Sequence, residues 1–139
     1  MTNNVFAVID TNVLVSALIS SNPETPPLAV LANVYAGTII PVFNDEILVE
    51  YRNVLSREKF HLDQFDIEEA LEVFIQYGLN IERTGVKDEV FPDPKDIVFY
   101  EVKMSKDEAY LVTGNIKHFP KKPFVVTPRE MLDILNQDQ

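Results

Sequence analysis

The chain has 139 residues, 46% of them hydrophobic and 24% charged, with no cysteine and a formal net charge of −10. That balance suits a single globular domain spanning residues 1–139. It excludes a disordered tail, a disulfide scaffold, a thiolate zinc site and a cysteine nucleophile. No apolar run reaches the ~20 residues that cross a bilayer. The start lacks a basic region, and Asp10 and Asn12 interrupt the apolar stretch Val5–Ile19, so a cytoplasmic location is expected. So acidic a chain repels nucleic acid at long range, and any phosphate chemistry on it needs cations to reverse the local field.

In chain order, Val5–Ile9 is a short β-branched run that fits a strand buried on both faces. It stops at Asp10-Thr11-Asn12, and Val13–Ile19 resumes as a helix. Ser20–Pro27 reads as a loop, with Thr25 as a cap, Pro26 at the first helical position and Gly37 closing the helix. Thr38–Val42 is a second strand. Asn44 caps a helix to about Leu55, whose Ile47, Leu48, Tyr51, Val54 and Leu55 recur at helical spacing. Asp66 and Glu69 form a capping-box pattern before a helix that stops at Gly78, and Leu79–Ile81 is a small strand. Asp93-Pro94 opens the next helix. Ala109–Thr113 and Phe124–Val126 are the last strands, and Thr127-Pro128-Arg129-Glu130 starts a final helix to about Leu135. Strands alternating with helices predict a three-layer α/β/α sandwich around a mostly parallel sheet.

Open parallel sheets bind ligands beyond the carboxyl ends of their strands. The residues to weigh are therefore Asp10 after the first strand, Asn44, Glu46 and Glu50 after the second, and Thr113 and Asn115 after the fourth. Asp93 and Asp96 on the following helix can join the same rim. Each has a plain structural alternative. Asp10 or Asn12 can cap a helix or make an Asx-turn. Glu50 can lie on a solvated face, where Glu46 one turn away costs roughly 0.2–0.5 kcal/mol unless a cation relieves the pair. Asp93 can be a cap with Asp96 reaching back in a capping box, and Gly114 and Asn115 can supply a turn with positive φ. His61 and His118 have no partner at metal-ligand spacing. His118 lies in Lys117-His118-Phe119-Pro120-Lys121-Lys122, the one clearly basic stretch. A Gly-rich phosphate loop, a nucleophile elbow and a dinucleotide fingerprint are all missing.

Taken in order, Val8-Ile9-Asp10-Thr11-Asn12-Val13-Leu14-Val15-Ser16-Ala17, the helix bearing Glu50, Asp93-Pro94-Lys95-Asp96, Tyr110-Leu111-Val112-Thr113-Gly114-Asn115 and Val125-Val126-Thr127-Pro128-Arg129-Glu130 resemble the PIN-domain family. The likeness is to its bacterial toxin-type members in particular, and it spans essentially the whole chain. It implies a nuclease that holds Mg²⁺ or Mn²⁺ on clustered acids and hydrolyses single-stranded RNA. On that pattern Asp10, Glu50 and Asp96 hold the metal. Asn12, Asp93 and Thr113 support it, and Asn115 stands where the family usually has a fourth acid. Clustered carboxylates raise one another's pKa unless a cation sits among them, and hard oxygen ligands suit Mg²⁺. The resemblance also implies a cognate antitoxin and a homodimer. Two rivals remain. Asn115 in place of an acid fits a degenerate domain that binds RNA or a protein without cutting. A strand-tip Asp10 fits an aspartyl-nucleophile phosphatase, although haloacid dehalogenase-like enzymes need a second Asp where this chain has Asn12.

Overall fold

The computed structural model describes residues 4–85 and 89–137. Five strands, β1 (Val5–Ile9), β2 (Ile39–Phe43), β3 (Leu79–Asn80), β4 (Tyr110–Val112) and β5 (Val125–Val126), form one sheet in the order β3-β2-β1-β4-β5. Every pairing is parallel, with Val5 opposite Ile39, Val8 opposite Leu111 and Val112 opposite Val126. Six α-helices flank it: α1 (Thr11–Ile19), α2 (Pro26–Ala36), α3 (Asp45–Leu55), α4 (Gln64–Tyr77), α5 (Ile97–Met104) and α6 (Pro128–Gln137). The crossovers from β1 to β2 and from β2 to β3 step one way across the sheet, and that from β3 to β4 steps back over β1. Right-handed crossovers then lay their helices on opposite faces. Accordingly α2 packs on β2 and α6, while α5 packs on β1, β2 and β4. This is the expected α/β/α sandwich.

A strand buried on both faces must be apolar throughout, and β1 and β2 are: Ala7, Val8, Ile9, Ile39, Val42 and Phe43 are all buried. Tyr51 of α3 is the pivot of the core. Its ring meets Phe74 of α4 edge-on at 5.6 Å and Phe99 of α5 at 6.3 Å. Its hydroxyl donates to the Ile9 carbonyl, so α3 is tied to the carboxyl end of β1. Burial holds the Tyr51 phenol well above its ordinary pKa, which keeps it a neutral donor. Among the described residues no helix is long and apolar enough to cross a membrane.

Local chemistry explains most element ends. The Asn44 side chain accepts from the Ile47 amide at 2.9 Å. Thr127 and Glu130 make both bonds of a reciprocal capping box, at 2.9 and 3.1 Å. Three expectations need correction. Helix α1 starts at Thr11 rather than Val13. Helix α4 is capped by Asp63, which accepts from the Phe65 amide, and Asp66 is an acid in its first turn. Thr25 precedes α2 without a side-chain cap bond. Gly78 ends α4 as expected, in an extended conformation. It is required because a Cβ there would lie 2.5 Å from the Phe74 carbonyl and 2.6 Å from that of Pro41. The strands otherwise fall within a residue or two of their expected bounds.

Candidate active site

The strand order reverses between β1 and β4, and the carboxyl ends of these two strands form the crevice where open parallel sheets bind ligands. Asp10 follows β1 and Thr113 follows β4. The Thr113 hydroxyl donates to Asp10 Oδ2 at 2.7 Å, and the Asn12 amide donates to the same oxygen at 3.0 Å. Both partners are themselves held. Thr113 Oγ1 accepts from the Asn115 amide at 3.0 Å, and Asn12 Oδ1 accepts from the Gly114 amide at 3.0 Å. The second contact explains Gly114, where a Cβ would come within 3.2 Å of Asn12 Oδ1. Neither Gly114 nor Asn115 has the positive φ that a simple turn reading predicts. Nor does Asp10 cap α1 through its side chain, because its carboxylate is turned toward β4. It is almost wholly buried. Burial pushes its carboxyl above the ordinary 3.8, with the Glu50 charge adding to the rise and the Thr113, Thr11 and Asn12 hydrogen bonds opposing it.

Asp96 reaches the same place from the far side of the chain. Asp93 is exposed and accepts from the Lys95 amide at 3.0 Å, which caps the single 3₁₀ turn Pro94–Asp96 ahead of α5. The Asp96 side chain makes no cap bond. The expected capping box is therefore absent, and Asp93 is spent as a cap rather than facing the crevice. Asp96 Oδ2 is buried without a hydrogen-bond partner, and the His118 imidazole Nδ1 lies 3.6 Å from it. Burial first, then the charges of Asp10, Asp93 and Glu50, push the Asp96 carboxyl to about 6, with His118 pulling the other way. Asp10, Thr11, Asn12, Asp96, Asn115 and His118 all line one cleft of about 310 Å³.

Glu50 is tied to the start of α1. Its Oε2 accepts from the Thr11 hydroxyl at 2.8 Å, on the α1 side of Asp10. The repulsion expected from Glu46 is relieved elsewhere, since Glu46 pairs with Arg83 at 3.2 Å. Among the described residues no three acidic or imidazole groups stand together as a set able to hold a metal. The charges of Asp10 and Glu50 nevertheless both bear on Asp96, and that of Glu50 on Asp10, while Thr11 holds one Glu50 oxygen. The donors still fit a hard cation. A buried and a half-buried carboxyl, both with raised pKa, face one cleft, and the second carries an oxygen without a hydrogen bond, of the kind that an ion or water ordinarily satisfies.

Sequence reasoning missed two participants, Thr11 and His118. Thr11 lies 39 residues from Glu50, and nothing in its local pattern distinguishes it from a helix-start threonine. His118 was legible only as part of a basic stretch close to the proposed rim, able to attract phosphates.

These features define an open parallel α/β domain with hard oxygen donors at its switch point. A family model described as the PIN domain matches residues 7–117, so the chain belongs to the PIN domain family. PIN domains are generally nuclease modules, hydrolases that typically use divalent metal ions. No curated protein and no solved structure shows a significant match to the chain.

Proposed function

We propose that this protein is a Mg²⁺- or Mn²⁺-dependent endoribonuclease that hydrolyses phosphodiester bonds of single-stranded RNA, and that it is the toxin of a toxin–antitoxin pair. The observation that carries the reading is the meeting of Asp10 and Asp96 in one cleft at the switch point, both destabilised as anions and one with an unsatisfied oxygen. Asp10 and Asp96 would hold the metal, with Glu50 able to join on leaving Thr11. A divalent ion bound there supplies charge neutralisation toward the phosphodiester and a water of lowered pKa.

The chain's own residues then have separable tasks. Thr113 and Asn12 fix the Asp10 carboxylate in one orientation, and their second hydrogen bonds keep them from turning away. Such preorganisation spares reorganisation during the reaction. Asn115 brings an amide to the cleft where an acid would add a further negative charge. Asp93 shapes the turn that presents Asp96. The acid-lined cleft also suits a basic side chain of an antitoxin. A homodimer is part of the same family-based proposal.

The test is cleavage of a labelled single-stranded RNA panel with Mg²⁺ or Mn²⁺ and with chelator, beside an Asp10→Asn preparation purified identically. The expected result is metal-dependent cutting that the variant loses. Equal cutting by both preparations, or none by either, overturns the reading.

A further inference from the structure

The clearly basic stretch of this acidic chain, Lys117–Lys122, begins at a wall of the cleft. Asn115 and His118 line the acid cleft, whereas Ile116 and Lys117, between them in the chain, line a second pocket of about 550 Å³. One 3₁₀ turn, Ile116–His118, therefore separates the two cavities. Lys121 and Lys122 also line the second pocket, and Pro120, Pro123 and Val125 add apolar surface. Lys117 and Lys121 are exposed and form no ion pair among the described residues, while Lys122 lies 3.7 Å from Glu89. The one acid in the lining, Glu130, is engaged at the Thr127 amide. Ile116 is 45% exposed at the rim, a large apolar side chain left to water beside these cations.

We infer that this pocket is a second binding site, which takes the phosphate backbone and an adjoining base of a single-stranded RNA. The inference rests on the nuclease reading, because it places the scissile bond of the same strand in the acid cleft across the shared turn. A single strand needs cations along its backbone and apolar surface for its bases, and this pocket combines both. A −10 chain repels the strand at long range, so a lysine-lined pocket that shares a wall with the cleft favours its path there. An acidic protein segment would also meet the lysines, but it has no reason to enter beside the cleft that the strand must leave.

The experiment measures binding of fluorescein-labelled oligouridylate to the full chain in chelator, by anisotropy across a salt series. The proteins compared are wild type, Lys117→Ala/Lys121→Ala and Lys121→Arg. The double variant should bind roughly 5- to 10-fold more weakly at low salt. The slope of log affinity against log salt should become shallower by about 1.4, at ~0.7 per lost phosphate contact on a single strand. Lys121→Arg should keep wild-type affinity, which separates lost charge from lost folding. Unchanged affinity and slope in the double variant overturn the inference, as does displacement of the RNA by polyglutamate at equal charge concentration. A cleavage assay separates the two readings. Metal-dependent cutting with wild-type KM in the double variant overturns this site and leaves the nuclease standing. Lysine-dependent binding with no cutting by any preparation overturns the nuclease and leaves an RNA site.

Discussion

Asp10 and Asp96 are both raised in pKa by burial first, yet their surroundings are opposite. Asp10 sits on the first residue after a central strand, with two side-chain donors on one oxygen and each donor anchored by a backbone amide. Asp96 ends a 3₁₀ turn, with one oxygen buried and unpartnered and an imidazole 3.6 Å away. One half of the site is already held in place. The other carries an unmet electrostatic demand, which a cation would satisfy. On the proposed reading, such a site would position one ligand rigidly and keep the energetic incentive to bind on the other.

The comparison breaks most severely at its held end. Asp10→Asn should lower metal-dependent cleavage by on the order of a thousandfold, measured as kcat at saturating RNA. The near-isosteric amide should leave thermal stability unchanged or raised, because it replaces a carboxylate whose burial disfavours charge.

Loosening the support is the next largest effect. Thr113→Val removes a hydrogen bond to a charged group, worth about 1.5–3 kcal/mol. We expect cleavage to fall roughly ten- to hundredfold, with Thr113→Ser recovering most of it. Equal loss in both variants would mean that packing rather than the hydroxyl matters.

The unmet end is tested through pH. In chelator, the folded Asp96 carboxyl titrates at about 6 against 3.8 in the unfolded chain. Between these values the folded state binds more protons, so stability rises as pH falls from about 7 to about 4, and Asp10 contributes in the same direction. Asp96→Asn should melt higher than wild type at neutral pH, and that gap should close toward pH ~4. A gap independent of pH would remove the claim that charge at Asp96 is the cost.

The smallest effect expected is at Asn115. Asn115→Asp adds a carboxylate to the lining of the cleft and should tighten Mn²⁺ binding by calorimetry. Unchanged affinity would show that position 115 is not part of the ion's surroundings.

Where a feature depends on neighbours along the chain, it was legible beforehand. The apolar β1 run ending in Asp10, the Asn44 cap and the Thr127–Glu130 box all follow from spacing and side-chain type, and the structure has each of them. Asp63 and Asp66 show where this fails. Either aspartate can start a helix here, and the choice fell to the one whose carboxylate reaches the Phe65 amide. Asp93 and Asp96 fail in the same way. Their pattern spells a capping box, but the Asp96 side chain turned instead into a crevice made by β1 and β4.

Sequence alone therefore determined the alternation of strands and helices, the acids at strand ends and the single basic run, because periodicity, caps and charge are properties of short stretches. Only the tertiary structure decided which oxygens meet. Thr113 reaches Asp10 across 103 residues, Thr11 holds Glu50 across 39, and the Ile116–His118 turn divides an acid cleft from a lysine-lined pocket. Those contacts are set by strand order, by the packing of α5 on the sheet and of α3 on α1, α4 and α5, and by burial that removes the water which would otherwise satisfy each group separately.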